Sequence, residues 1–296
     1  MGNKLTDTIY WMGSASSSGV GQAITGQTNH PDALFFNPAA LNTNKKSSLN
    51  INYSEIYQTN ISNFSFIASS PGLSFGVGIH STQSPDIENT KWHSGNGQII
   101  QLGHYQYSYS ALFVSTALKL PFISFGHFGT SLHFHRMSMD SQTLQGQSIN
   151  ASVLFTPLSF VSIGYTHHNL IPLKLQWKTS QIIHEEIIQN EHLVESYGTI
   201  GLELLVLNKS KLKWAILADV DIDDIETNPV NNYSPLKVGT QFSIYPLRVS
   251  FGHNHRYMAI GVSTILKQIQ LNYTFNLPNI SEGFSNRHAF GLNYTF

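Results

Sequence analysis

The chain contains no cysteine among its 296 residues. A disulfide framework, a thiolate nucleophile and a cysteine-based metal site are therefore excluded. Charge is scarce too. Lys, Arg, Asp and Glu together make 11% of the chain, whereas a soluble surface needs interspersed charge at roughly 25–35% of its positions. No apolar run approaches the roughly 18 residues that mark a membrane-crossing helix, so a helical membrane protein is excluded. Excess positive charge is missing as well: the net charge of -1 argues against a nucleic-acid binder. Met1–Tyr10 is polar and has no apolar segment of the signal-peptide kind. The expectation is that an exported form has had its signal removed. What the chain does carry is 18 Phe, 13 Tyr, 4 Trp and 22 Gly on a background of Ser, Thr, Asn and Gln. That aromatic content excludes disorder. A polar but uncharged, aromatic composition suits a transmembrane β-barrel.

Periodicity gives the same class. In the last nine residues Phe290, Leu292, Tyr294 and Phe296 take one face, and Ala289, Gly291, Asn293 and Thr295 the other. Period two means a strand with one apolar side. Leu-Asn-Tyr-Thr-Phe occurs at 271–275 and again at 292–296. Upstream, Leu247, Val249 and Phe251 oppose Arg248, Ser250 and Gly252. Leu236, Val238, Phe242 and Ile244 oppose Lys237, Gly239, Gln241 and Ser243. Leu212, Trp214, Ile216 and Val220 oppose Lys213, Asp219 and Asp221. Ile200, Leu202, Leu204 and Val206 oppose Thr199, Gly201 and Glu203. Phe128, Leu132 and Phe134 oppose Gly129, Ser131, His133 and His135. In a soluble sandwich the apolar face would meet a second sheet; in a barrel it meets lipid. Alternation alone does not choose.

The connections favour the barrel. About fourteen strands are expected, at 48–56, 60–69, 72–81, 106–118, 122–136, 147–156, 159–167, 195–206, 211–221, 233–244, 247–254, 257–265, 267–276 and 287–296. Short links at Ser70-Pro71, Leu120-Pro121, Thr156-Pro157-Leu158, Asn208-Lys209-Ser210, Tyr245-Pro246 and Leu266 alternate with a set that includes long ones near 82–105, 168–194, 222–232 and 277–286. An even strand count, short turns on one side and longer loops on the other are the pattern of bacterial outer-membrane barrels. The fold class expected is thus all-β, a transmembrane antiparallel barrel over 47–296. Residues 1–46 lack period two and are read as a small plug in the lumen or at its periplasmic mouth.

One stretch resembles a known family. Over residues 22–41 the chain reads Gln-Ala-Ile-Thr-Gly-Gln-Thr-Asn-His-Pro-Asp-Ala-Leu-Phe-Phe-Asn-Pro-Ala-Ala-Leu. This resembles the N-terminal region of outer-membrane barrels related to the FadL long-chain fatty-acid transporters and the PorV/PorQ proteins. Ala23, Thr25, Pro31, Ala33, Asn37, Pro38, Ala39 and Leu41 match, while His30 stands where an acidic residue is usual and Ala40 where Gly is usual. The resemblance implies a channel or transporter for small hydrophobic, fatty-acid-like molecules in a bacterial outer membrane. The second reading it leaves open is a non-transporting, protein-binding accessory of type IX secretion, with its partner at loops 82–105 and 168–194.

Physically, Pro38 restricts Asn37 to extended geometry and removes a donor, and the Asn side chain can bond nearby backbone. Leu34, Phe35 and Phe36 would form an apolar knob beside Asn37, Pro38 and Ala39. That segment reads either as a packing turn or as a gate. The alternating C-terminus, Phe290 to Phe296, resembles the signal read by the barrel-assembly machinery; the plain alternative is an ordinary last strand.

Candidate chemistry is thin. His127, His133 and His135 share one face of a strand, and His168 ends another inward set; two His at i, i+2 can chelate a metal but need a third ligand. The reading preferred is neutral lumen side chains, with Glu203, Asp219, Lys237 and Arg248 as further lumen-facing groups. A Ser–His hydrolase would need an orienting partner, and no such frame is visible, so no catalytic residue, metal or cofactor is expected. Asp219, Asp221, Asp223 and Asp224 are read as solvated charge at a strand end.

Overall fold

The computed structural model describes residues 13–56, 59–84, 87–93, 98–139, 142–171, 173–177, 192–194, 196–222, 236–278 and 286–296. In chain order the strands begin with β1 (Ser48–Ile56), β2 (Thr59–Ser70), β3 (Leu73–Gln83), β4 (Ile87–His93), β5 (Gln98–Tyr105), β6 (Tyr107–Lys119), β7 (Gly126–Met139), β8 (Gln142–Leu158) and β9 (Val161–His168). They continue with β10 (Leu173–Trp177), β11 (His192–Val194), β12 (Tyr197–Asn208), β13 (Leu212–Asp221), β14 (Leu236–Ile244), β15 (Leu247–His253), β16 (Tyr257–Leu266), β17 (Ile269–Pro278) and β18 (Arg287–Thr295).

Fourteen of these close into one antiparallel ring. Each barrel strand pairs with the next, β8 pairs with β9, and β18 returns to β1 over Glu55↔His288 to Ser48↔Thr295. Closure leaves no unpaired edge, which a membrane demands because an orphan backbone group there costs several kcal/mol. The remaining strands belong to two long connections: β4 and β5 form a separate two-stranded sheet, and β10, paired with β11, extends the upper end of β8.

All fourteen expected strands are present, with shifts at their ends. The largest is at β8, which begins at Gln142 rather than 147, and the next is at β7, which begins at Gly126 rather than 122. Leu120 N donates to Gly126 O and Gly126 N to Ile123 O, so 120–125 form a closed turn that puts Phe122 out at 96% exposure. Pro121 has no N–H to give a ladder.

The outer face is apolar from end to end. Ile51, Phe64, Phe75, Leu132, Ile163, Leu202, Ile216, Phe251, Ile260, Leu271 and Leu292 all lie exposed there. A second sheet covers none of them, so the surface is that of a membrane-spanning barrel. At the short-turn end Phe296 stacks near Phe66 at 6.3 Å and near Tyr294 at 5.8 Å, an arrangement suited to an aromatic interface belt.

The inner face is not uniform. Asn50, Asn52, Ser65, Gln241, Ser250, Asn272 and Thr274 give a polar wall on one side. On the other, Ile67, Tyr109, Phe113, Met137, Leu144 and Leu154 give an apolar one. The polar parity of the strands predicts a lumen lined mainly by Ser, Gly, Thr, Asn and Gln. The correction, an apolar sector, comes chiefly from β6, which carries Leu112, Val114 and Leu118 outward and Tyr109, Ala111, Phe113 and Ala117 inward, and so loses its period-two contrast; β2, β7 and β8 add Ile67, Met137, Leu144 and Leu154 among inward polar residues.

Candidate functional site

Residues 14–44 lie inside the ring. Ala15–Ser18 is a single helical turn capped by Ser14, whose Oγ accepts from the Ser16 and Ser17 N–H groups. A second turn, Ala33–Phe36, leads into the 3-10 helix Pro38–Thr43. The junction is built as the Asn-Pro pair requires. Asn37 is extended and starts the 3-10 helix; its Oδ1 accepts from Ala39 N at 3.0 Å and its Nδ2 donates to Thr25 O at 2.6 Å.

Leu34 and Phe35 are buried and Phe36 is partly buried. Phe35 meets Phe113 of β6 edge-on at 5.0 Å. Phe36 packs against the cluster containing Leu34 and also against that of Val20, Ile24 and Leu217. Pro38 and Ala39 lie against Gly129 of β7, where a Cβ would overlap their backbone. Ala39 N also donates to Ser152 Oγ of β8 at 2.8 Å.

The inner segment is held around the whole circumference. Asn63 of β2 donates to Gly13 O at 2.7 Å, and Thr274 of β17 donates to Ala15 O. Asn254 donates to Gly21 O at 3.2 Å. Two wall carboxylates take backbone donors of the segment. Asp219 of β13 accepts from Ile24 N at 3.1 Å and Thr25 N at 2.9 Å. Glu203 of β12 accepts from Thr28 N at 3.0 Å and Thr28 Oγ1 at 2.9 Å. Charge-assisted bonds of this kind are roughly twice as strong as neutral ones. His127 Nδ1 meets Asn42 Oδ1 at 3.1 Å. Thus three of the lumen-facing residues expected from sequence, His127, Glu203 and Asp219, touch the segment.

The others make separate groups on the wall. His135 bonds Tyr109 OH at 2.7 Å and Ser148 Oγ at 3.0 Å, and His133 bonds Ser131 Oγ at 2.7 Å. His168 meets Asn150 at 3.2 Å and stacks on Tyr197 at 4.5 Å. Lys237 pairs with Asp221 at 2.8 Å, and Arg248 Nε donates to Ser243 Oγ at 3.2 Å. Asp219 and Asp221 are therefore not solvated loop charges as expected. Both are buried, because their strand carries them inward to a backbone donor pair and to Lys237. Asp223 and Asp224 lie outside the described residues. Among the described residues no group of three or more His, Asp or Glu is placed to hold a metal ion.

Several Ser–His contacts invite a hydrolase reading, and their geometry argues against it. In the inner segment Ser16 Oγ lies 3.3 Å from His30 Nε2, with Asp32 nearby. His30 Nδ1, however, accepts the Asp32 backbone N–H at 3.1 Å. The proton then sits on Nε2, so the ring cannot take one from Ser16. Asp32 Oδ2 is occupied by Ser14 N at 2.9 Å. Burial lowers the His30 pKa to about 4, against the raising influence of Asp32.

The contacts that sequence reasoning missed are mainly glycines. Gly164, Gly201, Gly239 and Gly252 face inward on four strands, and at each a Cβ would collide with the segment between Val20 and Gly26. Their signal was present as Gly recurring on the polar parity of strand after strand.

No family model matches the chain, and no curated protein is similar to it in sequence. Solved structures do match in shape. The Pseudomonas putida toluene transporter TodX superposes with a TM-score of 0.64 at 12% identity, covering 96% of each chain. The Ralstonia pickettii toluene transporter TbuX gives 0.63 at 10% identity, over 96% of this chain and 98% of that one. A Pseudomonas aeruginosa FadL homologue gives 0.60 at 10% identity, over 96% and 98%. The chain thus has the FadL-like fold over nearly its full length: a closed fourteen-stranded antiparallel barrel.

Proposed function

We propose that the protein is a bacterial outer-membrane channel for small hydrophobic molecules, with the N-terminal segment to about residue 46 acting as a plug. The observation that carries this reading is the apolar sector of the lumen wall. Ile67, Phe113, Met137, Leu144 and Leu154 face inward against Leu34, Phe35 and Leu41 of the segment. A water-filled pore for polar solutes has no use for such a sector, because burying it against a detachable segment exposes greasy wall whenever the segment moves. The shared fold with two toluene transporters supports the same substrate class. Outer-membrane lipid covers the apolar exterior, and the aromatic C-terminus serves the barrel-assembly machinery. The test is uptake of radiolabelled toluene into liposomes carrying the purified protein. Uptake faster than in protein-free liposomes supports the reading, and equal rates would refute it.

A further inference from the structure

The short-turn end of the barrel holds a pocket of about 270 Å³ between the inner segment and the wall. Two irregularities open room for it. The β8–β9 register shifts between Phe155 and Leu158, and the β12–β13 register between Leu205 and Leu207. Bulges of this kind bend a strand and re-aim its side chains. Thr28 closes the pocket from the segment side, and His127, Phe160, Ser162, Glu203 and Leu205 are among its wall residues.

The pocket is chemically two-sided. Phe160 and Leu205 give it hydrocarbon surface. Ser162 and Glu203 face each other directly across the β9–β12 pair. Glu203 is 5% exposed; its Oε2 accepts from Thr28, and the Gln27 side chain and the Arg248 charge also act on its carboxylate. Ser162 is 4% exposed, and its Oγ has no hydrogen-bond partner among the described residues. A buried hydroxyl without a partner costs about 1–3 kcal/mol, so the site rewards a molecule that supplies one. No Lys or Arg lines the pocket.

We propose that this pocket binds a small uncharged amphiphile: one ring or a short chain bearing a hydroxyl group. The ligand O–H donates to the Glu203 carboxylate, its oxygen accepts from Ser162 Oγ, and its hydrocarbon part lies on Phe160 and Leu205. A carboxylate ligand would set its charge against Glu203. A plain hydrocarbon would leave Ser162 unsatisfied. The volume fits a substituted ring, since a closed apolar cavity of about 150 Å³ already holds benzene. The inference rests on the channel reading above and narrows its substrate class.

The test uses the full chain in lipid nanodiscs, with empty nanodiscs as the partition control. Binding of benzyl alcohol, toluene and benzoate is measured by saturation-transfer NMR titration. Benzyl alcohol is expected to bind at least tenfold more tightly than benzoate or toluene. Ser162→Val should weaken benzyl alcohol about tenfold and leave toluene unchanged. Leu205→Trp, which fills the pocket, should abolish benzyl alcohol binding. Equal binding of benzoate, or an unchanged titration in either variant, overturns the assignment. Toluene uptake into liposomes is measured on the same preparations. Toluene uptake without selective benzyl alcohol binding refutes the pocket alone, whereas toluene uptake no faster than in protein-free liposomes refutes the channel reading beneath it.

Discussion

At the scale of single residues, the inner segment depends on a few polar side chains that satisfy buried backbone. Asn37 is one: it serves Ala39 N and Thr25 O at once. Asn37→Ala should take the Asn37 donor from Thr25 O, while Ala39 N keeps Ser152 Oγ, and weaken docking of the segment by about 1–3 kcal/mol. Faster proteolysis within residues 14–44, with the barrel left intact, is the expected readout. His30 adds a pH dependence. Its ring is buried with a pKa lowered from 6.5 to about 4 by desolvation. Above pH 6.5 the ring is neutral whether docked or released. As pH falls from 6.5 toward 4, only a released segment takes up the proton. Docking then weakens progressively, by roughly 3 kcal/mol in the limit. The rate of segment proteolysis should rise over that window, and His30→Gln should remove the rise due to this ring. A flat profile in the unmodified protein would contradict the placement of His30. The sequence signalled Asn37 through its Pro neighbour. It did not signal the anchoring roles of Glu203 and Asp219, because a carboxylate on a polar face looks the same whether it meets water or a buried N–H.

At the scale of elements, alternation located every barrel strand. A strand between lipid and a polar lumen has two different neighbours, so its parity is written in residue type. Where both neighbours are apolar the signal fails. Strand β6 carries Leu112, Val114 and Leu118 outward but Tyr109, Phe113 and Ala117 inward, and its inner face was not readable as part of a site. Turns were legible at Pro71 and Pro246, but β8 runs past Pro157 to Leu158, and the turn after Leu120 extends to Phe125 before Gly126 closes it. The outward assignment of β17 makes a direct prediction. Leu271→Arg should cost about 2–4 kcal/mol near the bilayer midplane, measured by urea titration of the protein folded in vesicles. Strand β18 makes another. Phe296 is exposed and rests near Phe66 rather than in a core. Phe296→Ser should therefore slow assembly in cells severalfold while changing the urea midpoint of folded protein very little. Equal losses in both assays would assign Phe296 to stability instead of assembly.

At the scale of the whole molecule, ring and segment are fitted to each other. Inward glycines on β7, β9, β12, β14 and β15 bring the wall close to the segment backbone, and Asp219 and Glu203 hold it there. Composition and connection lengths were enough to infer the ring. The segment's path was not legible, since its short helical turns carry no period and its partners lie as far as Thr274 in sequence. On the proposed reading, this segment closes the lumen to free aqueous flow. Single-channel conductance in a planar bilayer tests it most directly. The intact protein should show no steady open level in 1 M salt, while the double variant Glu203→Ala, Asp219→Ala should give discrete openings as the segment loosens. A stable, large open conductance in the unmodified protein would contradict the claim.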